Sequence, residues 1–133
     1  MEVRFLNDDD YETLVTWWGD NRFPAPTRDM LPENGTCGVM VYKGDVEICA
    51  GFIYFTNSSM AWCEYIVANF HYRESDRQEA IRKLINTLTL VAKDKGFKVV
   101  YTSLQSESLM VNYEKCGYIK GSSNCTEMVK RLQ

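Results

Sequence analysis

The sequence predicts a three-layer α/β (α+β) domain: a mixed, mostly antiparallel central sheet of about seven strands, with helices on both faces. Three observations predict it. First, Thr36–Tyr42 and Val46–Phe55 are rich in β-branched and aromatic residues and are joined by Lys43-Gly44-Asp45, a hairpin signal. Second, the strands are apolar on both faces. Ile48, Ala50, Phe52 and Tyr54 alternate with Cys49, Gly51, Ile53 and Phe55, the pattern of a sheet covered on both sides. Third, Met60–Val67 reads as a strand followed by a charged loop, Asn69–Asp76, and one long amphipathic helix, about Asp76 to Lys95.

The remaining elements follow in order. Glu2–Leu6 suits a first strand. Asn7-Asp8-Asp9-Asp10 is a run of helix-capping residues, and the helix it opens runs to about Trp18. Tyr11, Leu14, Val15 and Trp18 form its apolar stripe, with Trp17 beside that stripe and Gly19 as the stop. All three prolines, Pro24, Pro26 and Pro32, fall in the next segment and exclude a long helix there. Thr27–Leu31 has room for one helical turn, and Asn34-Gly35 is a turn signal. Thr56–Ser59 turns the chain into the third strand of the meander. In the long helix, Ala80, Ile81, Leu84, Ile85, Leu88, Val91 and Ala92 make one stripe, and Gly96 is placed for a left-handed cap. Phe97–Leu104 is a further strand. Ser106 or Ser108 caps a short helix ending at Cys116-Gly117, and Tyr118–Lys120 with Cys125–Leu132 reads as a closing hairpin. The order is β-α-(α)-β-β-β-α-β-α-β-β, in which the long helix is a crossover between parallel strands.

The 133 residues suit a single domain, 1–133, with one core; no linker, repeat or low-complexity run divides them. The N-terminus lacks a signal-peptide pattern, and no apolar run is long enough to span a membrane. A net charge of −3 with no basic stripe argues against nucleic-acid binding. The five cysteines are odd in number, and none is in C-x-x-C spacing. They read as reduced core thiols in a cytoplasmic protein. With one histidine, His71, and no cysteine near it, no metal site is expected.

Two segments carry a family resemblance: Ala92-Lys93-Asp94-Lys95-Gly96-Phe97 and Tyr113-Glu114-Lys115-Cys116-Gly117-Tyr118. With the element order, they resemble the GNAT family of acyl-CoA N-acyltransferases. The second is similar to the family's Y-E-K-x-G-F/Y segment, and Val67-Ala68-Asn69 looks like its V-x-P strand end with Asn for Pro. The resemblance implies acetyl-CoA as cofactor and, as acceptor, a primary amine of a small molecule or a protein, with a monomer or homodimer as the assembly. The family holds the CoA pyrophosphate on an R/Q-x-x-G-x-G/A loop at the start of the long helix. The matching stretch, Arg73-Glu74-Ser75-Asp76-Arg77-Gln78-Glu79-Ala80, has no glycine. Ser75-x-x-Gln78 there is also a capping-box pattern, which would occupy the N–H groups a phosphate needs.

The resemblance places the pantetheine arm at Val67 and Asn69 and the phosphates at Arg73, Asp76, Arg77 and Gln78. Ser106 stands where the family has a CoA-contacting asparagine. Tyr113 matches the family's tyrosine general acid. Glu64, between Trp62 and Ile66, is the candidate base, since an apolar setting raises a carboxylate pKa; the alternative is a glutamate that is ion-paired or solvated. Trp17 and Phe23 fall where the family builds the acceptor site, although a tryptophan there also suits a lid on the core. Cys63 and Cys116 have no histidine partner and read as core. The competing reading is a catalytically inactive GNAT-fold binding or structural protein, similar to the GNAT-like proteins of tailed phages. The conformation of the Arg73–Glu79 loop separates the two.

Overall fold

The structure, a computed structural model, describes residues 1–133. Its sheet has five strands in sequential order: β1 (Glu2–Phe5), β2 (Gly38–Lys43), β3 (Val46–Phe55), β4 (Met60–Ala68) and β5 (Val99–Tyr101). The first four form an antiparallel meander, and β5 lies parallel to β4. The helices are α1 (Asp10–Asp20), α2 (Arg77–Asp94) and α3 (Glu107–Lys115), with 3-10 turns at Arg28–Met30 and Pro32–Gly35.

Each face of the sheet has its own core. Val39, Val41, Cys49, Ile53, Ala61 and Cys63 pack under the α2 stripe of Ala80, Ile81, Leu84, Ile85, Leu88 and Ala92. Met40, Ala50, Phe52 and Val67 pack under Leu14, Trp17 and Trp18 of α1. The predicted alternation along β3 holds except at Ile48. There the register slips between Val41 and Tyr42, and the extra residue turns Ile48 into the α2 core. Gly51 makes room for β4 and α2 together: a Cβ at this position would lie 2.8 Å from Ile66 Cγ1 and 3.2 Å from Leu88 Cδ1.

Turn and cap chemistry explains the element ends. The β2–β3 loop is Gly44-Asp45, with Gly44 at φ +61. Gly96 at φ +91 ends α2; its N–H bonds Lys93 O and the next N–H, of Phe97, bonds Ala92 O. Gly117 repeats this at α3 through Glu114 O and Tyr113 O. By contrast, Gly19 does not stop α1, because Asn21 caps it two residues later: its backbone N–H and its side-chain amide both bond Trp17 O. Asp10 is not a solvated cap. It is buried, accepting two bonds from the Arg4 guanidinium at 2.8 and 2.9 Å and one from the Asn7 N–H at 2.8 Å.

Two expectations are corrected. The sheet has five strands, not seven. Tyr118–Lys120 and Cys125–Leu132 pair with nothing, and Ile119, Met128, Val129 and Leu132 are exposed. A strand exists only through a partner ladder, and β5, shortened to three residues, offers a brief edge for one. Trp17, expected beside the α1 stripe, is inside it at 5% exposure. No helix is long and apolar enough to cross a membrane.

Candidate active site

The site begins where two strands part. β4 and β5 pair only from Met60↔Val99 to Trp62↔Tyr101, yet β4 continues to Ala68. From Cys63 onward the edge of β4 toward β5 has no partner strand, so backbone N–H and C=O groups border an opening. Within that stretch the β3–β4 register slips, with Phe52 opposite Glu64 but Ala50 opposite Val67. Tyr65 takes φ +59, an unusual conformation for a bulky residue, at this bulge. The bulge puts Tyr65 and Val67 against the α1 core and Ile66 against the α2 core. Sequence reasoning missed it because β4 has no glycine there; the one signal was Gly51, opposite the bulge on β3.

The two proposed catalytic residues lie on opposite faces of β4. Tyr113, on α3, is 2% exposed, and its hydroxyl lies 3.0 Å from Cys63 Sγ. Burial first, then the Cys63 thiol, pushes the phenol far above its ordinary range, while the Thr102 hydroxyl opposes the shift. Tyr113 therefore holds its proton at every physiological pH. Cys63 is itself pushed up to about 12 by burial and stays a thiol, which bears out its reading as a core residue. Glu64 is half-buried on the other face. The Trp62 indole N–H donates to Glu64 Oε1 at 2.9 Å, and Trp62 stacks on Tyr101. Burial raises the Glu64 carboxyl and Glu127 raises it further, against the Trp62 and Ser103 N–H groups.

The loop above the opening is braced from within. Asn69 organises it: the side-chain amide donates to Glu47 O, Oδ1 accepts from the His71 N–H, and the carbonyl accepts from the Tyr72 N–H. The Arg77 guanidinium lies 3.3 Å from Asn69 O and 3.4 Å from Tyr72 O, and Arg73 lies over the Phe70 ring. Burial, with Arg73 close by, lowers the Arg77 pKa, so Arg77 is a cation without a carboxylate partner. Asp76 is held to one side, accepting from the Tyr72 hydroxyl at 2.6 Å and the Lys43 ammonium at 3.1 Å. Those two bonds keep its carboxyl below the usual range.

The capping box does not form. No side chain caps Asp76, and Gln78 Oε1 instead accepts from the Asn112 amide at 2.7 Å; Asn112 Oδ1 accepts from Arg82. The N–H groups of Gln78 and Glu79 have no acceptor within the chain. Ser106 caps α3 through the Leu109 N–H at 3.3 Å. The structure thus gathers Val67, Asn69, Arg73, Asp76 and Arg77 at one end of the opening and Glu64 at its front. Ser106 and Gln78 are spent on α3. Phe23, 48% exposed, stands edge-on to Tyr65, whereas Trp17 is beneath the surface and lines no open groove. Tyr72, Lys43 and Asn112 were not foreseen, and their polar side chains carry no spacing signal that would have marked them.

No family model and no curated protein sequence matches this chain. Solved structures do. A Thermus thermophilus protein superposes at TM-score 0.74 with 15% identity over all of both chains. The ribosomal-protein-S18-alanine N-acetyltransferase of Escherichia coli gives 0.73 at 12% identity, over 91% of this chain and 79% of that one. The glucosamine-6-phosphate N-acetyltransferase of Arabidopsis thaliana gives 0.65 at 18% identity, over 99% and 98%. At such identities the likeness is one of shape, and what it shows is that this chain has the fold of the GNAT acyltransferases.

Proposed function

We propose that the protein is an acetyl-CoA-dependent N-acetyltransferase acting on a primary amine of a small molecule or a protein. One observation carries this reading: the N–H groups of Gln78 and Glu79 at the start of α2 are open, beside the unpaired edge of β4. A helix start with open N–H groups and an unpaired arginine suits a pyrophosphate without needing glycine. The Tyr72 and Lys43 bonds to Asp76 draw its charge away from that position. The pantetheine amides would pair with the β4 edge from Cys63 toward Val67, placing the thioester in the opening.

Catalysis then uses both sides of β4. Glu64, or a water bound to it, takes a proton from the acceptor ammonium. The neutral amine attacks the thioester carbonyl carbon, a C–N bond forms, and the C–S bond breaks. Tyr113 gives its proton to the departing thiolate and recovers one that the acylated nitrogen sheds through solvent, which requires its hydroxyl to turn from Cys63 toward the opening. The inactive-protein reading relied on Ser75 and Gln78 filling the helix start, and neither does.

Calorimetry with acetyl-CoA tests the proposal. Binding in the micromolar range is expected, with a raised melting temperature and at least tenfold weaker binding by Arg77→Ala. No heat at millimolar ligand and an unchanged melting temperature would overturn it.

A further inference from the structure

We propose that the acceptor is a primary amine on an aromatic or apolar body that carries no acidic group. This rests on the acetyl-transfer reading and specifies the acceptor end of the same opening. Glu64 is set among aromatic rings. On one side Trp62 stacks on Tyr101, with ring centroids 5.9 Å apart. On the other, Tyr65 meets Phe23 edge-on at 6.3 Å. Tyr54, paired with Trp62 across the strands, is tied down through its hydroxyl to Met30 O at 2.9 Å. Glu64 Oε1 takes the Trp62 indole N–H at 2.9 Å, and the Ser103 N–H also donates toward the carboxylate.

The charges that act on Tyr54, Glu64 and Tyr65 have one sign. Burial pushes the Tyr54 hydroxyl up to about 12, and Tyr65 and Glu64 add to the shift. Burial raises Tyr65, and Glu64 and Glu127 add to it. No lysine or arginine is among the groups acting on Tyr54, Glu64 or Tyr65. An ammonium entering here meets the Glu64 carboxylate, which attracts it, while Trp62 turns its N–H edge to that carboxylate and contributes ring area alone. A phosphate or carboxylate on the acceptor meets Glu64 with no counter-charge, which selects against it. The rings then offer their area to whatever apolar body carries the amine.

Calorimetry of the full chain with three amines, first without acetyl-CoA, separates these elements. Phenethylamine is expected to bind at least tenfold more tightly than phenylalanine, which adds a carboxylate, and than ethylamine, which lacks the ring. Tyr101→Ala, at an exposed position, and Trp62→Leu should each reduce the preference over ethylamine severalfold and leave the preference over phenylalanine. With acetyl-CoA present, kcat/KM should rank the amines the same way. Equal or tighter binding of phenylalanine overturns the proposal. So does indifference between phenethylamine and ethylamine, or no binding of any of the three. If phenethylamine binds selectively but acetyl-CoA does not bind, the acetyl-transfer reading fails and the selectivity of the box stands.

Discussion

The two faces of the sheet are built differently. Behind it, a cluster of fifteen buried residues is mostly aliphatic, and α2 covers it as a lid of Leu84, Ile85 and Leu88. In front, nine buried residues include Trp17, Trp18 and Phe52, and polar ties run through the margin: Arg4 to Asp10, Tyr11 to Pro26 O, Tyr54 to Met30 O. The rear face is a packing solution and the front face a positioning one. Tyr113 is the exception that makes the comparison useful. It belongs to the rear cluster, yet its hydroxyl stops at Cys63, one residue from Glu64 on the front. The strand between them is the one whose far edge is open.

If the rear face carries stability, Leu84→Ala should be the most damaging of the changes considered, costing about 3 kcal/mol by loss of burial and creation of a cavity. Urea denaturation would measure it, and a loss under 1 kcal/mol would show that the rear core is not close-packed. Tyr113→Phe tests whether a rear residue acts at the front. It keeps the ring and removes only the proton donor. The expected result is a fall in kcat of about a hundredfold with KM little changed. A variant with normal turnover would reduce Tyr113 to a space-filling residue.

The same contrast explains what was legible in the sequence. β2, β3, β4 and α2 were readable because their burial repeats with the period of the backbone. The Gly96 and Gly117 caps were readable because a left-handed cap favours one residue type. What escaped was set by partners distant in sequence. Trp17 is buried because the front core takes a wider face of α1 than a narrow stripe implies. Asp10 keeps a cap bond from the Asn7 N–H but is also claimed by Arg4, a partner its type does not announce. Gln78 looked like half of a capping box and is instead claimed by Asn112, thirty-four residues away. In the site, the residue types of Glu64, Arg77 and Tyr113 were visible, but the bulge at Tyr65 that shapes the opening was not. The closing hairpin was overread, since Cys125, Met128, Val129 and Leu132 do not recur with the period of a strand and the segment has no ladder to join.

Two front-face carboxylates with opposite pKa shifts allow a finer test. At Asp10, burial alone would raise the pKa, but the Arg4 pair and the Asn7 N–H outweigh it and the carboxyl sits below its ordinary value. Its contribution is therefore present above the unfolded carboxylate pKa and is lost as pH falls through the depressed folded one. Asp10→Asn should cost about 2 kcal/mol at pH 7 and progressively less as pH falls below the ordinary carboxylate range, as followed by thermal melts across pH.

Glu64 has the opposite sign. Its folded pKa is raised, so the protonated form is the one the fold prefers, and stability falls as pH rises from the unfolded value through the folded one. Glu64→Gln should thus be no less stable than the parent at pH 7, and its melting temperature should change less between pH 4 and 7. Activity runs the other way, because a base works only when deprotonated. The acid limb of kcat/KM should lie above the ordinary glutamate pKa of about 4.3. In Glu64→Gln that limb should disappear, with a loss of about tenfold at pH 7 if water still delivers the proton to solvent. An unaltered acid limb in the variant would assign it to another group and leave Glu64 as a binding residue. A variant that loses both activity and stability would place Glu64 with Asp10, as a structural carboxylate whose partner is a cation.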